Sequence, residues 1–189
     1  PWVVRDGVTH RFMADCTGYD NCTTTPTPIQ DAINFALEGE TVYIGPGTFI
    51  EDIEIIGKNI TLQGVNEGVN GPIIQSPDVI DADFSNKKAI IYVNNANNVT
   101  IDGITVDGAG KGNSNSQFLG IAYYNAGGTI SNNTIFDVQN TPFSGAQHGI
   151  AIYAHNDDGT SRELNVIGNV LEDFQKNGMA ISGDGLTAH

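Results

Sequence analysis

The sequence predicts an all-β chain wound as a parallel β-helix. Three observations predict it: a unit that recurs along the chain, period-two alternation inside each unit, and glycine or asparagine at the recurring turns. The recurrence is plain in "KAIIYVNNANNVTIDGITVDG", "LGIAYYNAGGTISNNTIFDV" and "HGIAIYAHNDDGTSRELNVIGNVLEDF". Gly64, Gly103, Asn132 and Gly168 take one column, just after Leu62, Ile101, Ile130 and Val166. A second set of columns holds Ile90, Ile121, Ile150 and Met179, then Tyr92, Tyr123, Ile152 and Ile181 two residues later. The columns are unevenly spaced, as a shared core with loops of different length requires. A unit of this size buries its apolar side only by stacking on its neighbours. Propeller blades have similar repeats, but their antiparallel strands need tight hairpin signals that these units lack.

The elements follow in order. Residues 1–25 read as an irregular N-terminal segment, pinned by a local disulfide between Cys16 and Cys22 in "ADCTGYDNCTTT". Two thiols with no second pair nearby would leave a zinc ion under-coordinated. A disulfide implies an oxidising compartment, hence an extracellular or cell-surface protein. From residue 26 to 189 the pattern is that of the β-helix, entered through a helix over 26–38. In that helix Ile29, Ala32, Ile33, Ala36 and Leu37 form one apolar stripe, and Gly39 ends it. A single amphipathic helix before the first strand, "TVYIG", is placed to cap the open end of a solenoid. At the other end "NGMAISGDGLTAH" matches the first half of "HGIAIYAHNDDG" without the turn and strands that should follow. The last coil is therefore expected to be incomplete, either because the chain continues elsewhere or because another molecule covers it.

With 39% hydrophobic residues the chain can fill a continuous core, and 8 basic against 22 acidic side chains give a net charge of −14. That balance opposes nucleic acid and anionic membrane as partners. No apolar run approaches the ~18 residues of a membrane span, so no membrane insertion is expected.

The entry "IQDAINFALEGETVYIGPGTFIEDIEI" and the recurring "NVTIDGITV", "GTISNNTI" and "LNVIGNVLEDF" resemble the right-handed parallel β-helix repeat proteins of the pectate lyase-like superfold. The resemblance covers roughly residues 27 to 189. It implies the fold and leaves the activity open, because that superfold includes lyases, hydrolases, esterases, epimerases, phage tailspikes and adhesins.

Stacked coils turn columns into spatial neighbours. With Ile150 and Ile152 inward, Ala151 and Tyr153 face out. Ala122, Ala151 and Ala180 then make a flat strip beside Tyr124 and Tyr153, with Gln147, His148 and Lys176 at its edge. Aromatic rings beside small residues and polar groups suit stacking on sugar rings. Acidic residues cluster at Asp78, Asp81, Asp83, Asp102 and Asp107, a supply of hard oxygen ligands for Ca²⁺. A lyase needs a positioned base and a cation or basic group for the uronate, and a hydrolase needs paired carboxylates. "QHG" precedes "NDD" here, the reverse of the polygalacturonase order, and no catalytic residue carries over. The expectation is thus a secreted or cell-surface β-helix with a structural or adhesive role, contacting polysaccharide or further copies of itself end to end. The alternatives are a lyase or hydrolase acting on an acidic polysaccharide, and a phage tailspike-like fragment, whose mark would be trimers.

Overall fold

The computed structural model describes residues 1–66, 71–81 and 83–189, without the side chain of Asp83. Among the described residues the chain is all-β apart from one helix. It begins with β1 (Trp2–Arg5), β2 (Val8–Met13), β3 (Cys22–Thr24) and α1 (Pro28–Phe35). The strands β4 (Thr41–Ile44), β5 (Gly47–Ile50) and β6 (Ile53–Ile56) make a first coil. A second follows in β7 (Thr61–Gly64), β8 (Pro72–Gln75), the short β9 (Asp83–Phe84) and β10 (Lys87–Asn94). A third is β11 (Val99–Asp102), β12 (Thr105–Asp107) and β13 (Phe118–Tyr124), and a fourth is β14 (Gly128–Ser131), β15 (Thr134–Phe136) and β16 (Ile150–Asn156). Then come β17 (Arg162–Ile167), β18 (Val170–Leu171), β19 (Asn177–Gly183) and β20 (Leu186–Ala188).

Successive strands visit three sheets in turn, and each pairs in parallel with its counterparts in the coils before and after. The first sheet runs β20-β17-β14-β11-β7-β4-β1-β2-β3, the second β18-β15-β12-β8-β5, and the third β19-β16-β13-β10-β6 with β9 beside β10. Among the described strands antiparallel pairing is confined to β1 with β2 and β4, and to β9 with β10, with one isolated antiparallel bridge between Lys111 and Asn140. This is compatible with a β-helix-like solenoid.

The corner between the first and second sheets shows why the repeat reads as it does. Gly103, Asn132 and Gly168 all have positive φ, at 69°, 55° and 67°, a conformation open to glycine and tolerated by asparagine. The next residue in two coils is again asparagine. Asn133 accepts from Ile104 N at 2.9 Å and donates to Ile101 O at 2.9 Å. Asn169 accepts from Asn133 N at 3.0 Å and donates to Ile130 O at 2.8 Å. Each amide thus satisfies the backbone of the coil beneath it at a bend where the ladder cannot.

The register of the first sheet follows the repeat, with Leu62, Ile101, Ile130 and Val166 aligned. In the third sheet it differs from the expected columns. The inward columns are Ile91, Ile121, Ile152, Met179 and Val93, Tyr123, Ala154, Ile181. Ile90 and Tyr92 are displaced by one residue, Ile150 and Ile152 by two. Both strands carry apolar residues on adjacent or alternating positions of either face, so hydrophobicity alone does not pin the register. Ile91, Ile121 and Ile152 are fully buried, while Met179 in the last layer is 49% exposed.

Two further differences concern the N-terminal part. Residues 1–25, expected to be irregular, contain β1, β2 and β3, which extend the first sheet; Cys16 and Cys22 are joined by a disulfide. The helix is shorter than 26–38. Ile29, Ala32, Ile33 and Ala36 are buried, whereas Leu37 lies beyond the helix and is 57% exposed. Lys58 Nζ donates to the carbonyls of Ile33 and Ala36 at 2.8 and 2.6 Å, closing the C-terminal end. Glu51 accepts from Ile29 N and Gln30 N at 3.1 Å each, closing the other.

Candidate functional site

The outer face of the third sheet concentrates the chemistry. Alternation along β13 turns Tyr123 inward, where it is fully buried and its hydroxyl donates to Val99 O at 3.1 Å; burial raises its pKa strongly. Its neighbours Ala122 and Tyr124 face out. The outward columns read Tyr92, Ala122, Tyr153, Ala180 and Asn94, Tyr124, His155, Ser182.

A hairpin supplies the fifth ring. Ser85 and Asn86 both have positive φ, at 50° and 64°, as a tight two-residue turn requires. The turn folds β9 back on β10, with Phe84 opposite Lys87. Phe84 therefore lies on the outer face, stacked on Tyr92 at a centroid distance of 4.3 Å and an interplanar angle of 2°. It is also 5.3 Å from Tyr124 and 6.2 Å from Tyr153. Ala122, between Tyr92 and Tyr153 in register, has no exposed surface beneath this cluster. Tyr124, Tyr153 and His155 stay partly exposed. His155 lies 6.0 Å from Tyr124 and 6.4 Å from Tyr153, and its Nδ1 is 2.9 Å from Ser182 Oγ. The Lys87 ammonium sits 5.8 Å from the Phe84 centroid and 5.7 Å from that of Tyr153.

At the rim the Tyr124 hydroxyl donates to Asp157 Oδ2, and Asn125 Nδ2 donates to Asp157 Oδ1 at 2.8 Å. Those donors hold the Asp157 carboxyl below its ordinary range, and the same bond raises the Tyr124 phenol. Burial, with Glu54 and Tyr124 near by, pushes Tyr92 up to about 12; burial and then Asp157 raise Tyr153. Next along, Asp158 is gripped by both arms of Arg162 at 2.7 and 2.8 Å and held far below the usual carboxylate range. The face thus presents neutral phenols and ionised carboxylates at neutral pH, with the Lys87 side chain beside them. Such a surface can stack on apolar ring faces and exchange hydrogen bonds with hydroxyls.

Of the residues expected at a glycan strip, Tyr124 and Tyr153 lie together here, though on diagonal rather than matched positions. Tyr153 aligns with Ala122, and Tyr124 with His155. Ala151 is not in the column of Ala122 and Ala180. Gln147, His148 and Lys176 stand apart, before the start of the strands; His148 is five positions before Tyr153, roughly 16 Å of extended chain. His148 Nδ1 accepts from Phe118 N at 3.4 Å, and Lys176 Nζ donates to Gln147 O at 3.4 Å. Phe84, Lys87, Tyr92, His155 and Asp157 were not anticipated. The signal for the first two was "DFSNKK", a two-residue turn flanked by strand.

Of the acidic residues suggested for Ca²⁺, Asp102 and Asp107 lie on different sheets. Asp102 is on the first sheet, bound by Gln63 Nε2 at 2.7 Å, Ser131 Oγ at 2.6 Å and Asn132 Nδ2 at 2.8 Å. Burial works to raise its pKa, and the three donors outweigh burial and lower it. Asp107 is on the second sheet, accepting from Gln75 Nε2 at 2.6 Å and Ala109 N at 2.7 Å. Asp78 pairs with Lys111, and Asp81 N donates to Asp52 Oδ2 at 3.0 Å. The side chain of Asp83 lies outside the described residues. Among the described residues no three His, Cys, Asp or Glu come together as metal ligands.

Compared with family models, curated proteins and solved structures, the chain returns no match.

Proposed function

We infer that the chain is a right-handed parallel β-helix of the pectate lyase-like type, capped by α1, serving as a secreted or cell-surface structural or adhesive module. It contacts glycans through the outer face of the third sheet. The observation that carries this reading is the cluster of Phe84, Tyr92, Tyr124 and Tyr153, with Lys87, His155 and Asp157 around it. Rings of which two are buried and two partly exposed make a platform already rigid before a ligand arrives, which lowers the entropic cost of binding. A glycosidase reading finds less support: it needs one carboxyl kept protonated, and Asp157 and Asp158 are both held ionised.

A glycan microarray of neutral and acidic polysaccharides tests this. Binding to at least one polymer is expected, with a loss of about tenfold or more in Tyr153→Ala, the scale of a central aromatic contact. Absence of binding across the array, or equal binding by the variant, would reject it.

A further inference from the structure

Each sheet of the solenoid has an edge at the end nearer the N-terminus, and the three are treated differently. Beyond β4 the first sheet continues through β1, β2 and β3. Beside β6 lies α1, whose Gln30 side chain donates to Glu54 O at 3.2 Å and accepts from Glu54 N at 2.7 Å, standing in for a strand. The second sheet ends at β5, and no described strand pairs with its far side.

That side opens into a cavity of about 760 Å³ between β5 and the segment formed by β1, the end of β2 and Tyr19. Phe49 of β5 lines it. Phe49 shares its inward column with Ile74, Val106, Ile135 and Leu171. Ile74, Val106 and Ile135 are fully buried, yet Phe49 is only half-buried. The core column is therefore one layer short at this point. Thr48 and Ile50, on either side of Phe49, face solvent. The charges in the cavity are also unequal. Both oxygens of Glu51 are taken by the amides of Ile29 and Gln30. Arg11 stacks on the Tyr19 ring at 5.3 Å and has no carboxylate partner among the described residues.

We propose that this slot takes one extended segment of a partner protein, which adds to β5 as a further strand of the second sheet. Such a segment gains main-chain hydrogen bonds from the free edge, and its alternating side chains supply specificity. The column above Phe49 calls for a bulky apolar residue at the centre, and Arg11 calls for an acidic residue beside it, since a guanidinium fork matches a carboxylate. The flanking α1 and β1 stand a layer above β5, so the slot admits a single strand and holds off the flat end of another solenoid.

The test is selection of a random decapeptide library displayed on phage against the whole chain, followed by binding of the best synthetic peptide. Enriched peptides should share an apolar residue next to an acidic one. Ala14→Trp, which fills the slot from its exposed wall, should abolish binding, and Arg11→Gln should weaken it about tenfold. N-methylation of alternate peptide amides should weaken binding about tenfold in one frame and leave it unchanged in the frame shifted by one residue, because only alternate amides face the edge. Failure to enrich, equal binding by Ala14→Trp, or indifference to N-methylation in both frames would overturn the proposal. Self-association of the free protein that disappears in Ala14→Trp would also overturn it, assigning the slot to a second copy.

Discussion

The outer faces of the first and third sheets are built on the same ladders and carry opposite kinds of side chain. On the first, Asp102 is enclosed by Gln63, Ser131 and Asn132 from the coils on either side. Both carboxylate oxygens of Asp102 are used by the fold itself. On the third, Phe84 and Tyr92 are tied up in stacking, but the faces of Tyr124 and Tyr153 and the Lys87 ammonium retain unused capacity. A polar ladder that saturates itself stabilises stacking between coils; an aromatic ladder that does not is available for a ligand. The same distinction separates structural carboxylates from binding ones more reliably than their number does.

Four changes break or sharpen that contrast, in falling order of effect. Replacing both Tyr124 and Tyr153 by alanine should cost glycan binding about a hundredfold, two contacts at roughly tenfold each, while the fold measured by circular dichroism persists. Asp102→Ala should do the reverse. It strands three donors and should lower unfolding stability by about 1–3 kcal/mol in a denaturant titration, with glycan binding unchanged.

The third change is in pH, and it too belongs to the first sheet. Arg5 Nε and Nη2 donate to Glu40 at 2.8 and 2.7 Å, and Leu37 N donates at 2.8 Å. Chiefly through the Arg5 bond, Glu40 is lowered from an ordinary 4.5 to about 2. Between these values the unfolded chain binds more protons than the folded one. The contribution is therefore whole above about pH 4.5 and is lost as pH falls toward about 2. Denaturant midpoints measured from pH 6 downward should show this decline, and Arg5→Ala should flatten it. The smallest effect is spectroscopic. Asp157→Asn removes the carboxylate that raises Tyr124 and, after burial, Tyr153, so both tyrosines should ionise at lower pH in an ultraviolet titration of the variant.

How much of this was legible in the sequence follows the same division. The first-sheet columns were readable because Gly103, Asn132 and Gly168 mark a bend that needs positive φ, and each comes just after an inward aliphatic residue. The third-sheet register was not, because "AIIYV" and "GIAIYA" put apolar side chains on both faces and the loops before them differ in length. Tyr124 and Tyr153 were found as outward residues through alternation, while their companion Phe84 arrives by a hairpin whose packing no repeat encodes. Asp102 and Asp107 are close in sequence, but the corner at Gly103 sends them to different sheets. That corner parts two of the acidic residues suggested for Ca²⁺. The N-terminal strands were hidden for a related reason: they pair with the first sheet at its edge and carry none of the repeat's columns.

Affinity electrophoresis tests the contrast between the two faces most directly. The wild type, the Tyr124→Ala/Tyr153→Ala double variant and Asp102→Ala would be run together through gels containing each of a series of polysaccharides. The prediction is that one polymer retards the wild type and Asp102→Ala alike and leaves the double variant unretarded. Equal retardation of all three, retardation lost only in Asp102→Ala, or no retardation in any gel would contradict the assignment of the third sheet's outer face as the binding surface.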